Sequence, residues 1–148
     1  MNNTAAGAPP ALARTLGMGG LIPFIAMAFT CWVTAPALQA EVLRALVAYA
    51  ATVVSFVGAL HWGVAMCRAD QEATPSLLWG VVPSLVAWLT LLAPSDKGLL
   101  ILATMLAVCF LIDRAVYPRL GLSGWLSLRL QLTSIAALSC LAAAVSAV

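Results

Sequence analysis

Ala45-Leu-Val-Ala-Tyr-Ala-Ala-Thr-Val-Val-Ser-Phe-Val-Gly-Ala-Leu-His-Trp-Gly-Val-Ala-Met-Cys67 is a run of 23 residues without a charged side chain. At a rise of ~1.5 Å per helical residue it reaches about 34 Å, enough to cross a hydrocarbon core of ~30 Å. The surrounding composition agrees with that reading. The chain is 64% apolar and only 8% charged, with a mean hydropathy of +1.06. Soluble domains carry nearer ~25% charge, and a fold with this little has no means of covering itself in water. Lipid is therefore the solvent for most of the chain, and 148 residues suit one bundle with no second domain.

Working outward, four more apolar segments flank this one. The sequence predicts spans at about 16–35, 45–67, 75–93, 98–117 and 124–147, after a loose polar tail over 1–15. The first contains Pro23, which removes a hydrogen bond to the Gly19 carbonyl and bends the helix, with Gly17, Gly19 and Gly20 easing the bend. A competing reading takes Arg14, the run 21–33 and Ala35-Pro-Ala37 as a secretory signal with its cleavage site. The early proline and the further membrane segments argue against it. Pro36, Glu41 and Arg44 read as a link, and Arg68 to Glu72 as a polar loop. Thr74-Pro75 suits a helix start, and Ser95 suits the next cap. Pro83 deprives the Trp79 carbonyl of its donor, so that kink has to face protein. The uncharged run before Asp113 is only 15 residues, about 22 Å, so the fourth helix carries Asp113 into or near the membrane.

The whole is an all-α integral membrane protein, a bundle of five transmembrane helices. Arg14, Arg68, Arg114 and Arg119 fall on one side, against Arg44 and Lys97 on the other. The positive-inside rule then sets the N-terminus in the cytosol and the C-terminus outside. Trp32, Trp79, Tyr117 and Trp125 fall at depths usual for an aromatic belt.

Three polar groups share one depth. His61 lies six residues before Cys67, about 9 Å inside the inner end, while Asp113 and Arg129 flank the last loop. A hairpin of the last two helices sets Asp113 beside Arg129 if the two faces match, and an intramembrane charge is costly unless paired or hydrated. The bland alternatives are an Arg129 that snorkels to the interface, an Asp113 among headgroups, and a neutral His61 bonded between helices. Ala51, Ser55, Ala59 and Gly63 recur every four residues and, widened by Gly58, read as a packing stripe. Trp62 is a lid or stacking surface on the sharper reading and packing on the plainer one.

The chemistry that this sequence excludes is broad. Basic runs interleaved with aromatics are missing, so nucleic acid is not a partner. Cys31, Cys67, Cys109 and Cys140 are isolated and form no C-x-x-C, and a single histidine cannot complete a metal or haem site. No catalytic set, H-E-x-x-H motif or phosphate loop is present, so no enzyme and no cofactor are expected.

Gly20-Leu-Ile-Pro-Phe24, Ser55-Phe-Val-Gly-Ala-Leu-His-Trp-Gly63, Val82-Pro-Ser-Leu-Val-Ala-Trp88 and Leu128-Arg-Leu-Gln-Leu-Thr133 resemble the domain of unknown function 3429 family, whose mitochondrial relatives are called transmembrane protein 69. The resemblance implies a five-helix protein of bacterial inner or mitochondrial membranes without an established activity. It also implies that His61, Trp62, Pro83, Trp88, Arg129 and Thr133 carry what the family shares. The expected function is a non-enzymatic accessory or assembly bundle, or one that binds a hydrophobic small molecule. Its partners are the lipid bilayer and either another integral membrane protein or that molecule. The alternative is a small transporter or proton-linked channel with a cytosolic-facing site at His61, Asp113 and Arg129. A multi-pass protein of the bacterial inner membrane is the expected location.

Overall fold

Prolines and glycines decide where the helices break. In the computed structural model, which describes residues 8–67 and 74–147, the first apolar segment forms two helices, α1 (Ala11–Gly19) and α2 (Ile22–Val33). Pro23 sits in the first turn of α2, where its missing N–H is not needed. The bend expected at this proline is thus a full break at Gly20 and Leu21. Helix α1 begins at Ala11 rather than near 16, so part of the expected tail is helical. The remainder, residues 1–7, lies outside the described residues, as does the loop from Arg68 to Glu72.

Helix α3 (Pro36–Cys67) is continuous over 32 residues and absorbs the predicted link. Pro36 occupies its first position, which proline tolerates. Leu43, Leu46, Val47 and Ala50 are buried, whereas Glu41 and Arg44 are exposed on the opposite face, so the apolar stripe carries the helix through the charges. Helix α4 (Thr74–Thr90) has 17 residues, about 25 Å, with Pro83 inside it. Helix α5 (Ser95–Val116) starts three residues earlier than expected. Ser95 is its first helical residue rather than its cap; Pro94 takes the cap position and supplies no side-chain bond. Two short 3₁₀ turns, Tyr117–Leu120 and Ser123–Trp125, lead into α6 (Leu126–Ser146). Gly121 between them has φ of 72°, a left-handed conformation that glycine adopts without strain.

Among the described residues every regular element is helical. Four segments are long and apolar enough to cross a membrane, namely Ala11–Val33, Pro36–Cys67, Ser95–Leu120 and Ser123–Ser146; Thr74–Thr90 is the shorter fifth. This is the architecture of a helical membrane protein. Helix α3 is the hub and packs against α2, α4 and α5, while α6 packs against α5 and α2. Phe24, Leu46, Val54, Leu99, Leu102 and Cys140 fill the centre.

The close approach between α3 and α4 lies at Gly58. A Cβ there would stand 2.9 Å from the Gly80 carbonyl oxygen and 2.9 Å from Pro83 Cγ. Pro83 is fully buried and faces protein, as a helix position that frees a carbonyl in lipid requires. The stripe expected to pack, however, does not pack along its length. Ala51 is buried and Ser55 half-buried, its hydroxyl donating to the Ala51 carbonyl at 2.9 Å, but Ala59 and Gly63 are exposed. The reason is geometric. A four-residue step turns ~400° about a helix of 3.6 residues per turn, so twelve residues drift by about 120°. The buried face instead follows Ala51, Val54, Gly58 and His61, whose alternating steps of three and four cancel the drift.

At the end away from His61, Gln39 Nε2 donates to the Cys31 and Ser146 carbonyls at 2.9 Å each, and Trp32 Nε1 donates to the Ala142 carbonyl at 3.1 Å. These bonds tie α2, α3 and α6 together there. At the other end α1 diverges from the bundle and keeps a contact with α6, where Gly17 faces Leu132.

Candidate functional site

Asp113 sits in the last turn of α5 and Arg129 in the first turn of α6, and the 3₁₀ turns between them fold the two helices into a hairpin. His61 reaches the same point from α3, two turns before that helix ends. The carboxylate of Asp113 joins all three. Arg129 donates to Asp113 Oδ2 through Nε at 2.8 Å and Nη2 at 2.6 Å, and His61 Nε2 lies 3.0 Å from Oδ1. The residues are 4%, 1% and 8% exposed for His61, Asp113 and Arg129. The structure thus brings together the three groups singled out in the sequence, with Asp113 bonded to both Arg129 and His61.

The charge arithmetic follows from the contacts. Asp113 and Arg129 cancel, and His61 engages the carboxylate oxygen that Arg129 leaves free. A buried ion pair tolerates low dielectric when its lone pairs are satisfied in this way. Tyr117, one turn beyond Asp113, completes the surroundings. Its ring centroid lies 6.5 Å from that of His61, and it lines the same cleft as Arg129. Tyr117 is 6% exposed, so it belongs to the site and not to the aromatic belt in which the sequence had placed it. Among the described residues no group of three His, Cys, Asp or Glu side chains is placed to hold a metal ion.

Beside the triad a cleft of about 970 Å³ opens where α1 splays from α3 and α6. Its lining is almost wholly apolar, from Leu16, Phe24, Phe56, Leu106, Leu128 and Leu132 among others. Arg129, Tyr117 and Thr133 form the polar part of its wall, and Ala59 and Gly63 line it from α3. The small residues expected to seat a helix therefore border an open space. Among the described residues nothing stands within 4 Å of a Cβ placed on Gly63.

The remaining motif residues divide between packing and lipid. Trp62 Nε1 donates to the Leu77 carbonyl at 2.8 Å, and its indole fills the space that Gly80 leaves vacant, so it clasps α3 to α4. Trp88 is exposed to the surroundings. Sequence reading missed Gly80, Gln39 and Tyr49. Tyr49 donates to the Gly20 carbonyl at 2.8 Å and packs edge-on against Phe24 at 5.1 Å, sealing the break between α1 and α2. The signal was present, since a helix break in a membrane leaves carbonyls that need a donor from a neighbour.

Comparison with known proteins adds a family. The family model described as "Protein of unknown function (DUF3429)" matches residues 9–145. The chain is also similar to a protein named transmembrane protein 69 from Xenopus tropicalis, with 34% identity over 135 residues, which cover 88% of this chain and 52% of the relative. The chain thus spans about half the length of the curated relative it matches. No solved structure matches it.

Proposed function

The chain belongs to the DUF3429 family of proteins of unknown function, and from that premise we propose that it is a non-enzymatic membrane protein that binds a hydrophobic small molecule in the cleft beside its buried triad. The observation that carries this reading is the cleft itself. Its volume of about 970 Å³ is at the upper end of the range for small-molecule sites, ~300–1,000 Å³, and its apolar lining with few convergent polar groups is what such sites present. An integral membrane partner inserting a helix there is the other occupant consistent with an accessory role. The direct bonds of 2.6–3.0 Å within the triad favour binding over transport, because a proton-linked pathway needs water among these groups.

The bundle has five spans, α1 and α2 together forming the first. The charge asymmetry of Arg14, Arg68, Arg114 and Arg119 against Arg44 and Lys97 supports a cytosolic N-terminus and an outer C-terminus. A bacterial inner membrane is the proposed setting.

Photocrosslinking tests the reading. A photoreactive side chain is placed at Gly63, in the cleft, and as a control at Leu85, an exposed position on α4. A discrete small-molecule adduct at position 63 and not at 85 is expected. The same spread of bulk-lipid adducts at both positions contradicts a dedicated cleft, and a discrete protein adduct at 63 transfers the site to a membrane partner.

A further inference from the structure

We infer that the Thr133 hydroxyl anchors the cleft's ligand, exchanging a hydrogen bond with an oxygen-bearing head group. The inference rests on the ligand-binding reading above. It names the contact residue of that same site and the class of its ligand, an amphiphile with an oxygen head.

A hydroxyl on a membrane helix has a default partner, the carbonyl three or four residues before it on its own helix. Three serine or threonine side chains are buried among the described residues, Thr90, Thr133 and Ser139. Two of them take the default. Thr90 donates to the Ala87 carbonyl at 2.6 Å, and Ser139, on α6 itself, donates to the Ile135 carbonyl at 2.8 Å. Less buried hydroxyls do the same, as Thr30 does to Ala26 at 2.8 Å and Thr104 to Leu100 at 2.9 Å. Thr133 departs from the pattern. Its hydroxyl has no hydrogen-bond partner among the described residues, although the Arg129 carbonyl lies one turn before it on α6. Packing does not seal this hydroxyl off; the donor that packing leaves sealed and unpartnered is Trp79 Nε1. Thr133 is only 7% exposed and stands in the wall of the cleft, so its hydroxyl opens on that space.

An uncommitted hydroxyl in an apolar wall is a gain waiting for a polar atom, since a bound partner replaces a hydrogen bond that the protein does not supply. The other hydroxyl that the α3 side brings to the lining, that of Tyr49, is committed to the Gly20 carbonyl. Thr133 lies one turn, about 6 Å, along α6 from Arg129. Beyond it the lining continues through Ala136, Phe24, Val53 and Val57, all apolar. A molecule with its head at Thr133 and its chain along these residues matches the wall at both ends. Because a hydroxyl both donates and accepts, an alcohol, a carbonyl and a carboxylate oxygen all suit it. A bare hydrocarbon does not.

The test titrates the full-length protein in mild detergent with oleyl alcohol, oleate and 1-octadecene, which are equal in chain length and differ in head. Tryptophan fluorescence reports binding, since Trp125 lines the cleft. Thr133→Val removes the hydroxyl at nearly constant shape, Thr133→Ser keeps it, and Gly63→Leu fills the cleft at a position with room for a side chain. Saturable binding of the alcohol, of oleate or of both is expected, with 1-octadecene roughly tenfold weaker or more. Thr133→Val should weaken the oxygen-headed probe about three- to tenfold, and Thr133→Ser should restore it. Gly63→Leu should abolish binding. Preference for the alcohol or for oleate identifies the head, and either supports the inference. Without any probe, Thr133→Val should melt at or above the wild-type temperature, because no bond within the protein is lost. A lower melting temperature makes the hydroxyl structural and overturns the inference. Unchanged affinity in Thr133→Val, or 1-octadecene binding as tightly as the oxygen-headed probes, overturns the anchor while leaving the cleft a ligand site. Failure of all three probes to bind overturns the ligand-binding reading and the anchor with it.

Discussion

The carboxylate of Asp113 accepts from two helices at once, and its loss is not equivalent to the loss of either donor. Asp113→Ala strands Arg129 as an uncompensated buried charge, and breaking such a pair by removing one partner destabilises by about 3–5 kcal/mol. His61→Ala leaves Oδ1 without its donor and is expected to cost about 1–3 kcal/mol. The double variant Asp113→Leu/Arg129→Leu should recover most of the loss, because replacing a buried pair with apolar residues of similar size is close to neutral. Reversible unfolding in mixed detergent micelles measures all three. An Asp113→Ala protein as stable as the wild type contradicts the pairing, as does a double variant weaker than the sum of its parts.

Among the helices, the contact that matters is a point and not a stripe. Gly58→Ala drives a methyl group into the Gly80 carbonyl and the Pro83 ring, both parts of a stiff backbone segment. Overpacking of this kind is expected to cost about 1–3 kcal/mol. Gly63→Ala on the same helix meets open space and should be neutral or stabilising by up to about 1 kcal/mol, from helix propensity alone. Equal effects at the two glycines, read from melting temperatures, argue for the four-residue stripe instead. The break between α1 and α2 gives a second prediction at this scale. Tyr49→Phe removes the donor to the Gly20 carbonyl and is expected to cost about 1 kcal/mol. Amide hydrogen exchange should rise around Gly20–Phe24 and stay unchanged in α5. Protection at the break identical to the wild type would show that Tyr49 does not hold it.

For the molecule as a whole, composition and hydropathy were enough to read the helical segments, because the need to satisfy every backbone group in lipid leaves few alternatives. The meeting of Asp113 with Arg129 was legible too, since a short hairpin forces two residues flanking one loop to the same depth. The face of α3 was not. Spacing by four imitates a stripe over two turns and then drifts, and only packing against Gly80 and Pro83 reveals that Gly58 is the contact. The cleft was equally hidden, because it is made by the divergence of α1, which no single segment encodes. Orientation is open to direct measurement. Cys67 is exposed at the end of α3, while Cys31, Cys109 and Cys140 are buried. With a cytosolic N-terminus, a membrane-impermeant maleimide should label Cys67 only after the cells are permeabilised; labelling in intact cells reverses the topology. The claim that the cleft is built to hold a molecule is tested most directly by native mass spectrometry of the protein released from its own membranes. The account predicts a discrete non-covalent adduct on the wild type that is absent from Gly63→Leu. A wild-type protein emerging at its bare mass, or an adduct that survives the substitution, contradicts it.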